Sequence, residues 1–123
     1  MSMWVGPICN REPVTCTTDA SIQEVVRLMR DEDVGSIIVI QEMTDGKRPY
    51  GMITDRDLVT RVIANDIALD SVAIGDVITT SLQVARVNDS IAEAIRTMRE
   101  FNVKRLPVVD PRGCLVGIIS GDD

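Results

Sequence analysis

Two short stretches of the chain pair a hydroxyl with a carboxylate. They are Thr54-x-x-Asp57 and Ser120-x-x-Asp123, and each closes a Gly-x-Ile sequence. A hydroxyl donates and accepts, while a carboxylate accepts through two oxygens. Taken singly, this spacing is that of a helix start. The adjacent cations Lys104 and Arg105 suit the basic end of a helix, where the dipole favours them. They also suit an anionic ligand, which arginine can grip through two bonds. Histidine is absent, which removes the commonest general acid-base group and metal ligand. Cys9, Cys16 and Cys114 show no Cys-x-x-Cys spacing and read as buried, reduced thiols. Asp31-Glu32-Asp33 invites a metal, yet a solvated helix end is the simpler account. Asp55 reads as a solvated charge, and Met29 and Met98 as core fillers. No nucleophile meets a base, and no two carboxylates share an evident cleft, so a small enzyme has little support.

The elements that must position these residues come from a chain of 123 residues, enough for one domain or two very small ones sharing a core. Hydrophobic residues make up 45%, so that core needs no disulfide staples. Thirteen Lys+Arg against nineteen Asp+Glu leave a net charge of -6, the wrong sign for a dedicated nucleic-acid binder. Trp4, Tyr50 and Phe101 are the only aromatics, too few for base-stacking platforms. The N-terminus lacks the pattern of a secretory signal, and no apolar run is long enough to span a membrane. A cytoplasmic protein with no membrane partner is expected.

The chain contains one unit twice. Ser21-Ile22-Gln23-Glu24 matches Ser90-Ile91-Ala92-Glu93 at an offset of 69 positions, and residues 21–40 share eight identities with 90–109. Beyond a loop the offset falls to 66, which lays Gly51 on Gly117, Thr54 on Ser120 and Asp57 on Asp123. A register change inside a loop is what two copies with different hairpin tips should show. Each Ser-x-x-Glu predicts a capping box. Ile22, Val25, Val26 and Met29 then recur at helical spacing, as do Ile91, Ala94, Ile95 and Met98. Strands follow at Ser36 to Ile40 and Leu106 to Val109, then turns at Asp45-Gly46 and at 110–113. Return strands run from Tyr50 to Thr54 and from Leu115 to Ser120. Short extended segments, Val14 to Thr17 and Gln83 to Arg86, precede the helices, and residues 57–63 form a further amphipathic helix. The expected fold is α/β: two β-α-β-β-α repeats with pseudo-two-fold symmetry and their sheets packed together. Repeat one spans 1–65, a linker 66–76 and repeat two 77–123, whose last helix is missing.

These residues resemble a tandem pair of cystathionine β-synthase (CBS) domains, a Bateman module of the stand-alone bacterial type. Residues 103–110, Gly113 and 116–120 carry the likeness in the second copy, residues 51–58 in the first, and 75–79 at the entry to the second. The resemblance implies a regulatory module that binds AMP, ADP, ATP, NAD or S-adenosylmethionine in two clefts between the repeats. Cleft one would use Met52, Thr54 and Asp57 with Leu82, Gln83, Val103, Lys104, Arg105 and Pro107. Cleft two, the weaker, would use Ile118, Ser120 and Asp123 with Pro13, Val14, Val34, Gly35 and Ser36. The physical logic agrees: a carboxylate accepts from two adjacent ribose hydroxyls, and Lys104 and Arg105 supply charge for phosphate. Cleft two has Gly35 and Ser36 at the matching positions, so phosphate tails should prefer cleft one. The resemblance further implies no required cofactor, no metal, a homodimer and a regulated protein partner. The competing class is a structural dimerisation module whose clefts hold no ligand.

Overall fold

Ser21 and Ser90 open the two main helices by the same device. Their hydroxyls accept from the amides of Glu24 at 3.0 Å and Glu93 at 3.1 Å. Only the second is a complete capping box, because Glu93 also reaches back to the Ser90 amide at 3.2 Å. The computed structural model describes residues 3–78 and 82–121. In chain order the first elements are α1 (Val5–Ile8), β1 (Thr15–Thr17), α2 (Ile22–Glu32), β2 (Ser36–Met43) and β3 (Gly46–Thr54). There follow α3 (Asp55–Asp57), a π-helical continuation (Leu58–Ile63), α4 (Ile74–Val77) and β4 (Ala85–Arg86). The last are α5 (Ile91–Glu100), β5 (Arg105–Val109) and β6 (Leu115–Ser120).

The strands form two three-stranded sheets, ordered β1-β2-β3 and β4-β5-β6. Each opens with a parallel pair joined through a helix and ends with a hairpin. The pairing repeats with the sequence: Cys16 faces Val39, and Ala85 faces Val108 at the same offset. Both helices end on a non-glycine residue at positive φ, Asp33 at 53° and then Asn102 at 54°, again one offset apart. Asp and Asn tolerate that left-handed conformation better than other side chains. Asp33 thus terminates a helix, and its neighbour Asp31 pairs with Arg30 at 2.8 Å.

The chain divides into two compact units that do not coincide with the two sequence copies. Unit 1 joins Met1–Pro13 and Thr44–Arg48 to Gln83–Asp123, and unit 2 joins Val14–Met43 to Pro49–Leu82. The lead segment of each copy therefore folds with the other copy. In unit 1, Val5 N donates to Asp89 O at 2.9 Å and Gly6 N to Val87 O at 3.0 Å. In unit 2, Ile74 N donates to Ala20 O at 2.7 Å and Gly75 N to Thr18 O at 3.0 Å. Val5 and Cys9 enter the core of unit 1 beside Ala94, Met98, Leu106 and Val108. Ile74 and Val77 enter that of unit 2 beside Val25, Ile37, Ile53 and Val62. Fully burying one such aliphatic side chain contributes about 1.5–3 kcal/mol, so the lead helices are structural despite being four residues long.

The Gly-x-Ile sequences now have a cause. Asn10 exchanges two backbone bonds with Ile118, at 2.8 and 2.9 Å, which brings its carbonyl against Gly117. A Cβ on Gly117 would stand 2.3 Å from Asn10 O, and one on Gly51 would stand 2.6 Å from Ile78 Cγ2. Both positions need a bare backbone, but their walls differ. At Gly51 the obstacle is a side-chain methyl, Ile78 Cγ2, whereas at Gly117 it is main chain. Burial, with Glu24 and Asp19 nearby, pushes the Cys16 thiol up to about 11.

Gly117→Ala should cost about 3 kcal/mol and Gly51→Ala about 1 kcal/mol, the range for overpacked sites. Urea unfolding of both variants checks the order, which reverses if side-chain crowding rather than main-chain approach is limiting. At pH 8 the Cys16 thiolate should fall to about one part in a thousand, against about one in ten for a thiol at its ordinary value of 9.0. Its folded pKa lies above the unfolded one, so the associated stability holds below pH 9 and is lost as pH rises towards 11. Peptide mapping after iodoacetamide at pH 8 should find Cys16 nearly unlabelled until denaturant is added.

Candidate functional site

Strand β3 ends by turning directly into a helix, and that turn carries the hydroxyl–carboxylate pair of unit 2. Thr54 Oγ1 accepts from Asp57 N at 3.0 Å, and Thr54 N donates to Asp57 Oδ2 at 3.0 Å. This is a full capping box, so the helix-start account of the spacing holds. The box consumes one carboxylate oxygen and leaves the other. Asp57 Oδ1 lies 3.9 Å from Arg61 Nε, beyond hydrogen-bond reach, and the side chain is 28% exposed. The helix then widens, with Ala64 N donating to Val59 O at 2.9 Å, a five-residue step. Leu58 and Val62 are buried, while Val59 and Ile63 are exposed.

Two predicted groups meet beside this turn. Asp55 N donates to Gly35 O at 2.9 Å, which joins the end of β3 to the residue just before β2. Thr54 and Asp57, assigned to cleft one, are thus neighbours of Val34, Gly35 and Ser36, assigned to cleft two. Val14, Met52 and Leu82 belong to the same unit and are partly buried.

Unit 1 repeats the arrangement with different side chains. Gly121 N donates to Lys104 O at 2.8 Å, and Arg105 faces Ser120 across the β5–β6 hairpin. Val103, Lys104 and Arg105 are exposed, and among the described residues neither cation forms an ion pair. Pro107 is buried and pairs with Ile118. Its missing amide shortens the parallel ladder. In unit 2, Ile38 N donates to Val14 O at 3.1 Å; Pro107, the residue matching Ile38, has no N–H to offer Gln83 O. Strand β4 accordingly has two residues where β1 has three. Pro13 completes the described residues of cleft two, and Asp123 lies outside the described residues.

A shallow groove of about 360 Å³ runs along unit 1 between Met98, Asn102, Val103, Lys104 and Gly121. The matching surface of unit 2 lies under Leu58 and Val62, which share a core with Met29. Among the described residues, unit 1 has no counterpart of that π-helical segment. No helix among them is long and apolar enough to cross a membrane, and no three His, Cys, Asp or Glu side chains gather as for a metal.

The chain has clear relatives. Protein MK0525 of Methanopyrus kandleri is 30% identical over 122 residues, 99% of this chain and 61% of that one. Hypoxic response protein 1 of Mycobacterium tuberculosis is 31% identical over 111 residues, 89% of this chain and 75% of its own. The chain spans about three fifths of the length of the archaeal relatives it matches. A crystal structure of Hypoxic Response Protein I with two coordinated zinc ions superposes with a TM-score of 0.86 at 27% identity, covering 98% of this chain and 94% of that one. The CBS domain pair of protein MJ0100, in complex with 5′-methylthioadenosine and S-adenosyl-L-methionine, superposes at 0.81 over 99% of this chain and 92% of that one, at 20% identity. The CBS domain model itself matches twice, over residues 5–64 and 74–123, starting each time at the lead helix. The chain is a pair of domains of the CBS family.

Proposed function

We propose that this CBS pair is a ligand-sensing regulatory module that binds an adenosine-containing nucleotide and performs no chemistry on it. The observation that carries the reading is the state of Asp57. Its carboxylate is held by the Thr54 amide through one oxygen, and the other, 3.9 Å from the Arg61 guanidinium, is partly exposed and makes no hydrogen bond. A carboxylate fixed in this way is prepared to accept from the two hydroxyls of a ribose. In unit 1, Lys104 and Arg105, exposed and without ion-pair partners among the described residues, suit the phosphates of a nucleotide held by that unit. Gln83 O, deprived of its ladder donor by Pro107, suits the exocyclic amine of adenine. The MJ0100 pair, captured with two adenosine derivatives, supports the ligand class for this fold.

A sensor must pass its state on. Nucleotide binding shifts the population of two arrangements of the chain or its assembly, and a protein partner responds to the shift. A homodimer is the natural assembly. Val59 and Ile63 of unit 2, one helical turn apart, are 55% and 61% exposed and offer apolar surface to a second copy. The same surface favours the second reading, a dimerisation module that carries no ligand.

Saturating AMP, ATP, NAD or S-adenosylmethionine should raise the melting temperature by about 5 °C for the cognate ligand. No shift with any of the four leaves the dimerisation reading, which native mass spectrometry tests by the mass of the assembly. Asp57→Asn should keep the capping geometry yet weaken nucleotide binding about tenfold, the cost of losing a charged acceptor. An unchanged dissociation constant in calorimetry would return Asp57 to a purely structural role. Arg105→Ala should weaken ATP about tenfold while leaving adenosine nearly unaffected; tighter ATP binding by the variant overturns the phosphate assignment.

A further inference from the structure

We propose that the one charged residue in each of two equivalent hydrogen-bonded pairs, Asp55 in unit 2 and Lys104 in unit 1, determines which nucleoside derivative each unit takes. Lys104 selects a phosphorylated nucleoside, and Asp55 selects one that is cationic at its 5′ substituent. This rests on the adenosine-binding reading above and extends it to the charge of the ligand.

The two units close the same edge with the same backbone bond, Asp55 N to Gly35 O at 2.9 Å and Gly121 N to Lys104 O at 2.8 Å. Residues 35 and 104 are equivalent by the offset of the duplication, as are 55 and 121. Each bonded pair therefore joins one glycine to one charged residue, in opposite order and with opposite sign. The glycine is what makes room. A Cβ on Gly35 would stand 3.3 Å from Asp55 Oδ2, so in unit 2 the carboxylate lies directly over the bare Gly35 backbone. In unit 1 a Cβ on Gly121 would have Met98 Sδ as its nearest neighbour at 3.4 Å, then Lys104 O at 3.6 Å. Those are ordinary van der Waals contacts, so a side chain is tolerated there, beside the residue that bears the ammonium.

The carboxylate is also available. Asp55 Oδ1 accepts from the Arg56 amide at 2.8 Å, which fixes the side chain and leaves Oδ2 outside that bond, over Gly35. Asp55 and Lys104 are both exposed, and neither forms an ion pair among the described residues. A triphosphate brought to Asp55 meets a like charge, and a sulfonium brought to Lys104 does the same. Like-charge placement is a stronger discriminator than the mere absence of a partner. The geometry separates the two units by sign rather than by shape.

The test exchanges the two pairs. Calorimetric titrations of ATP, S-adenosylmethionine and the uncharged 5′-methylthioadenosine are compared for four proteins. These are the wild type, Gly35→Lys/Asp55→Gly, Lys104→Gly/Gly121→Asp and Asp55→Asn. The wild type should take one ATP and one S-adenosylmethionine per chain without competition between them. The first exchange should admit a second ATP and lose S-adenosylmethionine, and the second should weaken ATP at least tenfold. Neither exchange meets a clash: at Gly35 the added Cβ takes the position vacated by Asp55, and at Gly121 its nearest described neighbours are at ordinary contact distance. Asp55→Asn reads the same quantity should an exchange fail to fold: S-adenosylmethionine should weaken about tenfold and 5′-methylthioadenosine should not. Unchanged ATP stoichiometry in the first exchange, or equal effects of Asp55→Asn on the two thioadenosines, overturns the charge rule alone. A wild type that binds none of the three overturns the functional reading and this inference with it.

Discussion

The close approach of a lead segment to a bare strand backbone is the contact on which each unit depends. Asn10 O reaches the Gly117 backbone, and Ile78 reaches that of Gly51, distances that a single methyl group would close. The same approach seats α1 and α4, through Gly6 against Val87 and Gly75 against Thr18. With these helices in place, Val5 and Ile74 are completely buried and the two cores are finished. A three-stranded sheet with one principal helix leaves apolar surface that it cannot cover alone. Here the remaining cover comes from the copy it was duplicated with, so neither copy is a self-sufficient folding unit.

This exchange is where reading the sequence and seeing the fold part company. The duplication, the two capped helices, the strands and the turn after Gly-x-Ile are all legible, because hydrophobic period and cap chemistry are local properties. The lead helices are not, since four residues cannot display a helical period. One signal was present: Val5-Gly6 and Ile74-Gly75 stand at the offset of 69 that aligns the rest of the copies. Extended backwards to them, the alignment marks both segments as part of the repeat and not as linker. Which copy they fold with is a tertiary fact that no local pattern encodes. The longer hairpin of the first copy, β2 running to Met43 and β3 starting at Gly46, was also hidden, because its outer residues are exposed and carry no alternation.

The site shows a different limit. For Asp57 the sequence offers a helix cap and a ligand contact as rival accounts, and the geometry establishes the cap without using the whole carboxylate. One carboxylate oxygen closes the capping box while the other is left outside it. The cap restricts the side chain to one orientation, which lowers the entropy that ligand binding must still overcome. In the proposed function, structural use is thus what preorganises the group for recognition. Asp55 reads from the sequence as one more solvated charge. Its bond to Gly35 and its carboxylate over that residue depend on two segments twenty positions apart, so nothing local predicts them.

Duplication supplies two identical backbones, and divergence then acts on whatever points out of them. The amide–carbonyl bond at the edge of each sheet survives in both units, because removing it would leave a backbone donor without a partner. Side chains on the two bonded residues are free to change, provided one of them stays small. That steric condition admits a charge on either residue but not comfortably on both. A glycine–aspartate pair in one unit and a lysine–glycine pair in the other are the two solutions, and they differ in sign. The overall charge of -6 says nothing of this, since it is a sum over a surface on which two opposite local fields coexist. Selectivity between ligands of opposite charge therefore requires no change of fold, only a different choice of which partner in one hydrogen bond keeps its side chain.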